Sequence, residues 1–111
     1  DMGPANRQRI LESCRRAPEP QLVITHGTDT MVETAGVLGR AGLGKTIVLT
    51  GAMVPYAFTH SDAVFNLGCA VAAVQLLPAG VYIAMNGRTF RWDNVGKRRE
   101  AGEFDELDPA R

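Results

Sequence analysis

Apolar and polar residues alternate in blocks along this chain. Ile10, Leu11 and Cys14 recur at helical spacing behind Pro4, which suits a first turn, so residues 4–16 are predicted to be a helix. Arg15 and Arg16 at its end suit the negative pole of the helix dipole, and Ala17-Pro18-Glu19-Pro20 breaks it. Within residues 21–25, Leu22, Val23 and Ile24 form a short continuous apolar run, the pattern of a strand buried on both faces. A polar turn, residues 25–30, leads to a second helix reaching about Arg40, with Met31, Ala35 and Leu38 on one face. Thr30 and Glu33 make a capping-box pattern at its start, and Gly39, Gly42 and Gly44 end it.

Ile47, Val48 and Leu49 mark a second buried strand over residues 46–50, followed by a Gly-Ala-Met-Val-Pro loop at 51–55. The longest predicted helix covers 61–77, with Ser61 and Asp62 as its cap. Val64, Leu67, Val71, Val74 and Leu77 give it an apolar stripe, and Gly68, Cys69, Ala70, Ala72 and Ala73 are small enough for close packing on a sheet. A third strand is predicted over 81–85. Asn86-Gly87 then signals a tight hairpin into a return strand at 88–91. Beyond Trp92 charged residues dominate, and a loosely ordered tail is expected over roughly residues 100–111.

This order of elements predicts an α/β fold: one three-layer α/β/α domain over residues 1–111, with right-handed crossovers and a mostly parallel sheet ending in a β-hairpin. Such sheets bind ligands beyond the carboxyl ends of their strands. Here those ends carry residues 25–30, 50–55 and 85–87.

Composition narrows the function classes. The apolar fraction of 45% and charged fraction of 22% are ordinary for a globular domain. Twelve basic side chains balance twelve acidic ones, which argues against a nucleic-acid partner or an acidic membrane surface. No apolar run approaches the roughly 20 residues that span a bilayer. Cys14 and Cys69 lie far apart without CxxC spacing, so neither a zinc site nor a disulfide framework is indicated, and a reducing compartment, the cytoplasm, is expected. The chain begins with Asp1 rather than Met, so no leader sequence can be judged.

Residues 39–46 spell the phosphate-loop pattern GxxxxGK[ST]. That loop needs a strand before it and a helix after it, whereas here the helix precedes and the strand follows. A glycine-rich helix-to-strand connection, with Lys45 as a solvated charge, is the favoured reading; nucleotide binding there is the alternative. His26 and His60 have no acid or thiol at metal-ligand spacing, and His26 is expected to be a hydrogen-bonding turn residue. Thr28 and Asp29 sit at a strand-to-helix turn, where such residues ordinarily cap the helix. In a Lys-Arg-Arg run, Lys97 is ordinarily a solvated side chain.

The wider string alters that weighting. Thr25-His26-Gly27-Thr28-Asp29-Thr30-Met31, with Glu33-Thr34 behind it, resembles the second active-site signature of bacterial-type L-asparaginases. Val48-Leu49-Thr50-Gly51-Ala52-Met53 with Pro55, Ser61-Asp62 with Asn66-Leu67, and Met85-Asn86 through Val95-Gly96-Lys97 are similar to that family's later segments, in the same order. The resemblance implies an amidohydrolase without cofactor or metal. Its substrate would be a small amide, asparagine or alternatively glutamine, hydrolysed to the acid and ammonia through a threonine nucleophile. It places the catalytic group at Thr28, Asp29 and Lys97, and substrate contacts at Gly27, Thr28, Asp29 and Ala52. A homo-oligomer is expected as well, since a chain with incomplete sheet coverage tends to pair.

The chemistry of that assignment is general. A threonine hydroxyl needs a base to take its proton. An amine serves if desolvation or positive neighbours favour its neutral form, while a neighbouring carboxylate orients it and opposes that shift. Asp29 has a second plausible task, pairing with a substrate ammonium. The family also carries a Thr-Gly-Gly-Thr-Ile string on a first strand, a lid tyrosine, a substrate-binding serine and a C-terminal domain, and this sequence holds none of these. The expectation is a fragment of a short asparaginase-like protein lacking the first strand and lid, and inactivity of this chain alone is compatible with it. The alternative is a catalytically inactive module of the same fold that binds a small amino acid or serves assembly.

Overall fold

The structure is a computed structural model that describes residues 3–53, 61–98 and 101–109. Val54, Pro55 and His60, named above, lie outside the described residues. The elements run α1 (Pro4–Arg16), β1 (Gln21–Thr25), α2 (Met31–Ala41), β2 (Thr46–Thr50), α3 (Ala63–Leu76), β3 (Gly80–Met85), β4 (Arg88–Arg91), β5 (Gly96–Arg98) and β6 (Glu103–Asp105).

Strands β1 to β4 form one sheet in sequence order, the first three parallel and β4 antiparallel to β3. Leu22 pairs with Ile47 and Ile47 with Val81, so the strand ends at Thr25 and Thr50 lie side by side. The β3–β4 turn has positive φ at both Asn86 (58°) and Gly87 (74°), the type I′ geometry that this dipeptide favours. Alternate residues of the pleat separate two cores. Ile47, Leu49, Val81, Ile83 and Met85 face α1 and α2, while Val48, Tyr82 and Ala84 face α3. The expected α/β/α layering and mostly parallel sheet are therefore present.

Four expectations need correction. First, β1 is half-buried rather than buried on both faces, because it forms an edge of the sheet and, among the described residues, only β2 flanks it. Second, the crossovers cannot both be right-handed. β1, β2 and β3 step across the sheet in one direction, yet α2 packs on one face and α3 on the other, so one of the two connections is left-handed.

Third, α3 turns a different face to the sheet. Asn66, Ala70, Ala73 and Val74 are buried, while Val64, Leu67 and Val71 of the expected stripe are exposed. The helix is apolar nearly all round, so periodicity selects no face, and the small residues allow the closer approach. Fourth, the tail expected over roughly residues 100–111 holds a strand, β6, among its described residues. β5 and β6 pair antiparallel, and Phe104 is fully buried in the larger core.

Smaller local differences have the same character. Thr30 is the N-cap of α2 but its side chain makes no capping bond. Gly42, at φ 59°, closes that helix in the left-handed conformation. Lys45 is not a solvated charge: its ammonium donates to the carbonyls of Ala17 and Glu19, tying the α1–β1 connection to the start of β2. Residues 39–46 thus connect a helix to a strand, and their lysine is spent on backbone.

Candidate active site

The carboxyl ends of β1 and β2 turn outward together, and each turn is held by a buried polar side chain. After β1, His26 is 7% exposed and its backbone N–H donates to the Thr50 carbonyl at 2.8 Å, which locks the two strand ends. Its ring Nδ1 lies 2.7 Å from the Gly27 carbonyl and its Nε2 lies 2.8 Å from the buried Thr34 hydroxyl. A carbonyl only accepts, so Nδ1 carries a proton; in the neutral ring, Nε2 then accepts from Thr34. His26 is the hydrogen-bonding turn residue expected from sequence.

That turn presents Gly27, Thr28 and Asp29. Lys97 arrives from β5, 69 positions along the chain from Thr28. Its Nζ donates to Thr28 Oγ1 at 2.8 Å and to Asp29 Oδ1 at 2.8 Å. The Lys97 side chain is 14% exposed, whereas that of Asp29 is 72% exposed. The amine is thus sheltered between a hydroxyl and a carboxylate whose outer face remains open to solvent. The helix-capping alternative for Thr28 and the solvated alternative for Lys97 do not describe these contacts.

Lys97 is held by the segment that charge alone marked as a tail. Lys97 stands opposite Phe104 across the β5–β6 pair, so the two side chains share a face. Phe104 is buried, and its N–H donates to Asn86 Oδ1 at 2.9 Å. Asn94 exchanges two bonds with Asp108, donating to its carbonyl at 2.9 Å and accepting from its N–H at 2.8 Å. Arg88 pairs with Asp105 at 3.1 Å and stacks over the Phe90 ring at 4.7 Å. The Asp105 carboxyl is held below its ordinary range, first by the Glu106 N–H and then by Arg88. Sequence reading gave Asn86, Asn94 and Phe104 no part in holding Lys97. The signal was one aromatic among charges.

Gly27 and Ala52 belong to a neighbouring feature. They line an open cavity of about 520 Å³ with Thr25, His26, Thr50 and, from α3, Ala63, Val64 and Leu67. Thr28, Asp29 and Lys97 do not line it, so the structure sets the three polar groups beside the cavity rather than within it. Gly51 is required at its floor, since a Cβ there would lie 2.2 Å from the His26 carbonyl oxygen. Among the described residues no three His, Cys, Asp or Glu side chains gather as a metal-binding group. Among them, too, no helix is long and apolar enough to cross a membrane.

Comparison with known proteins gives this geometry a setting. A family model described as asparaginase, N-terminal, matches residues 1–106. The chain is 38% identical over 96 residues to a glutamyl-tRNA(Gln) amidotransferase component of Aeropyrum pernix, a match covering 80% of this chain and 22% of that protein. It is 34% identical over 107 residues to L-asparaginase 1 of Escherichia coli K12, covering 92% of this chain and 32% of that one. Its fold is similar to the thermostable L-asparaginase from Thermococcus kodakarensis, with a TM-score of 0.88 at 28% identity over 96% of this chain and 34% of that one. The chain therefore spans about a third or less of the length of these relatives.

Proposed function

This chain belongs to the asparaginase family, and on that footing we propose that it carries an L-asparaginase-type amidohydrolase site with Thr28 as nucleophile. The observation that carries the proposal is the contact of one sheltered amine with Thr28 and Asp29 across most of the length of the domain. In its neutral form Lys97 takes the Thr28 hydroxyl proton as Oγ attacks the side-chain amide carbon of asparagine. The carbon–nitrogen bond breaks, the proton passes to the leaving nitrogen, and ammonia departs from a threonyl ester. Water then adds to the ester carbon, and aspartate and the free hydroxyl are restored.

Asp29 orients Lys97 through one oxygen, and its exposed side faces the solvent from which the α-ammonium of a substrate would approach. Gly27 and Ala52 supply backbone to the substrate from the cavity wall. Glutamine is the alternative amide. Homo-oligomerisation belongs to the proposal, supported by the exposed Val64, Phe65, Leu67 and Val71 on α3. So does a cytoplasmic setting, supported by two free thiols.

Ammonia release from asparagine and from glutamine by the full-length protein tests the reading. We expect Thr28→Ala and Lys97→Met each to lower turnover by about 100-fold or more, with the far-ultraviolet circular dichroism of the wild type retained. Turnover that survives Lys97→Met unchanged would remove the lysine from the mechanism. Asparagine or aspartate binding by the full-length protein without turnover would instead indicate an inactive amino-acid-binding module.

A further inference from the structure

The turn after β2 is pinned from α3 by two side chains that the reaction scheme does not use. Asp62 Oδ2 accepts the Met53 N–H at 3.0 Å and the Asn66 side-chain N–H at 2.9 Å. The same Asn66 Nδ2 donates to the Gly51 carbonyl at 2.9 Å. Both amide protons of Asn66 are therefore given to groups that only accept, a carbonyl and a carboxylate, and the amide cannot be flipped without losing both bonds. Its Oδ1 is the one buried side-chain polar atom without a partner among the described residues, and Asn66 is fully buried. Burying an unpaired acceptor costs about 1–3 kcal/mol, so this position is organised around the two donors.

The bonds fall on either side of Ala52. A trans peptide points its C=O and N–H in opposite directions. With the Gly51 carbonyl directed at Asn66, the Ala52 N–H points away from α3. With the Met53 N–H directed at Asp62, the Ala52 carbonyl also points away. The side chains thus aim both backbone groups of Ala52 from the α3 side of the turn.

We propose that Asp62 and Asn66 are positioning residues that orient the Ala52 backbone toward the leaving amide of the substrate. This rests on the amidohydrolase reading, in which Ala52 supplies backbone to the substrate; here that backbone is directed to the leaving amide. Asp62 makes no side-chain capping bond to the α3 backbone; its carboxylate reaches that helix through the Asn66 side chain. Asp62→Asn keeps an oxygen for the Met53 N–H and serves as the conservative variant. A purely structural role would move stability and all ligands alike. A positioning role separates the amide from the acid product, which lacks the leaving nitrogen.

The test, made in the full-length protein, compares Asp62→Ala, Asn66→Ala and Asp62→Asn with wild type for asparagine turnover and aspartate binding, each variant checked for folding by thermal unfolding. We expect kcat to fall about 10- to 100-fold in the two alanine variants while aspartate binding stays within about twofold, and Asp62→Asn to recover most of the loss. Either folded alanine variant suffices. Should wild type bind asparagine without turning it over, the hydrolase reading fails by itself. The positioning role then stands if Asp62→Ala erases a preference for asparagine over aspartate that Asp62→Asn retains. Unchanged kcat, an unchanged preference where turnover is absent, or parallel loss of turnover and aspartate binding would overturn it. A wild type that binds neither amino acid would overturn both proposals.

Discussion

His26 shows how much of the site rests on single buried polar residues. Its ring bridges the Gly27 carbonyl and the Thr34 hydroxyl, and its main chain bridges β1 to β2. His26→Ala would leave that carbonyl and hydroxyl without their partner, at about 1–3 kcal/mol. In a domain of this size about 1 kcal/mol shifts the melting temperature by roughly 4–8 °C, so thermal unfolding reads the loss directly. Turnover should fall as well, because the displaced peptide is the one that leads into Thr28. A variant that melts like wild type would show the ring to be dispensable. At this scale the sequence was partly readable. His26 could be assigned to the turn because it had no ligand partner at useful spacing. The meeting of Thr28 and Asp29 with Lys97 had no local signal, since 68 positions separate even Asp29 from the lysine. Only the likeness of whole strings to a family suggested it. Asp62 and Asn66 were visible as a helix start, but a bond to a loop nine positions earlier has no periodic signature.

The β5–β6 hairpin is the element on which the site depends most and which the charge pattern concealed. Three-residue strands bury little by themselves. Its order comes from Phe104 in the core and from the Asn86 and Asn94 side chains, contacts that only the folded sheet supplies. Phe104→Ala should cost about 3–5 kcal/mol, as buried aromatic truncations do, and should release Lys97 from Thr28. A loss of turnover larger than the loss of folded protein would show both effects. Acid should act on the same hairpin. The folded-state pKa of Asp105 is depressed, so its contribution to stability is fully present above the unfolded value of about 3.9 and is lost as pH falls through the lower folded value. Asp105→Asn should therefore flatten the acid limb of the unfolding curve below about pH 4 and leave the neutral region unchanged in slope. An acid limb identical to wild type would assign that transition to other carboxylates. For α3 the difficulty was of another kind. A stripe at helical spacing was present and real, but a helix apolar on every side offers several such stripes. Small residues and the Asn66 bonds decided which one met the sheet.

Across the whole molecule, that choice leaves an unusual surface. α3 contains no charged residue from Ala63 to Leu76, and Val64, Phe65, Leu67, Val71 and Leu76 are all exposed along it. β1, half-buried and likewise uncharged from Gln21 to Thr25, forms one edge of the sheet. An edge strand without lysine or proline offers its outer backbone groups to a further strand, and contiguous apolar surface favours contact with another molecule. The zero net charge adds no long-range repulsion between copies. Layering and the order of elements along the chain were legible because hydrophobic runs and turn residues encode them locally. This surface was not, because the same apolar stripe serves equally as core or as interface. The chain should therefore self-associate as concentration rises, and sedimentation velocity should show the average mass increasing across the micromolar range. Replacing Val64 and Leu67 together by lysine should shift that rise to higher concentration. Because both side chains are exposed, each replacement should alter thermal stability by no more than about 0.5 kcal/mol. A wild type that stays monomeric throughout, or a lysine variant that associates as strongly, would exclude this surface as the contact.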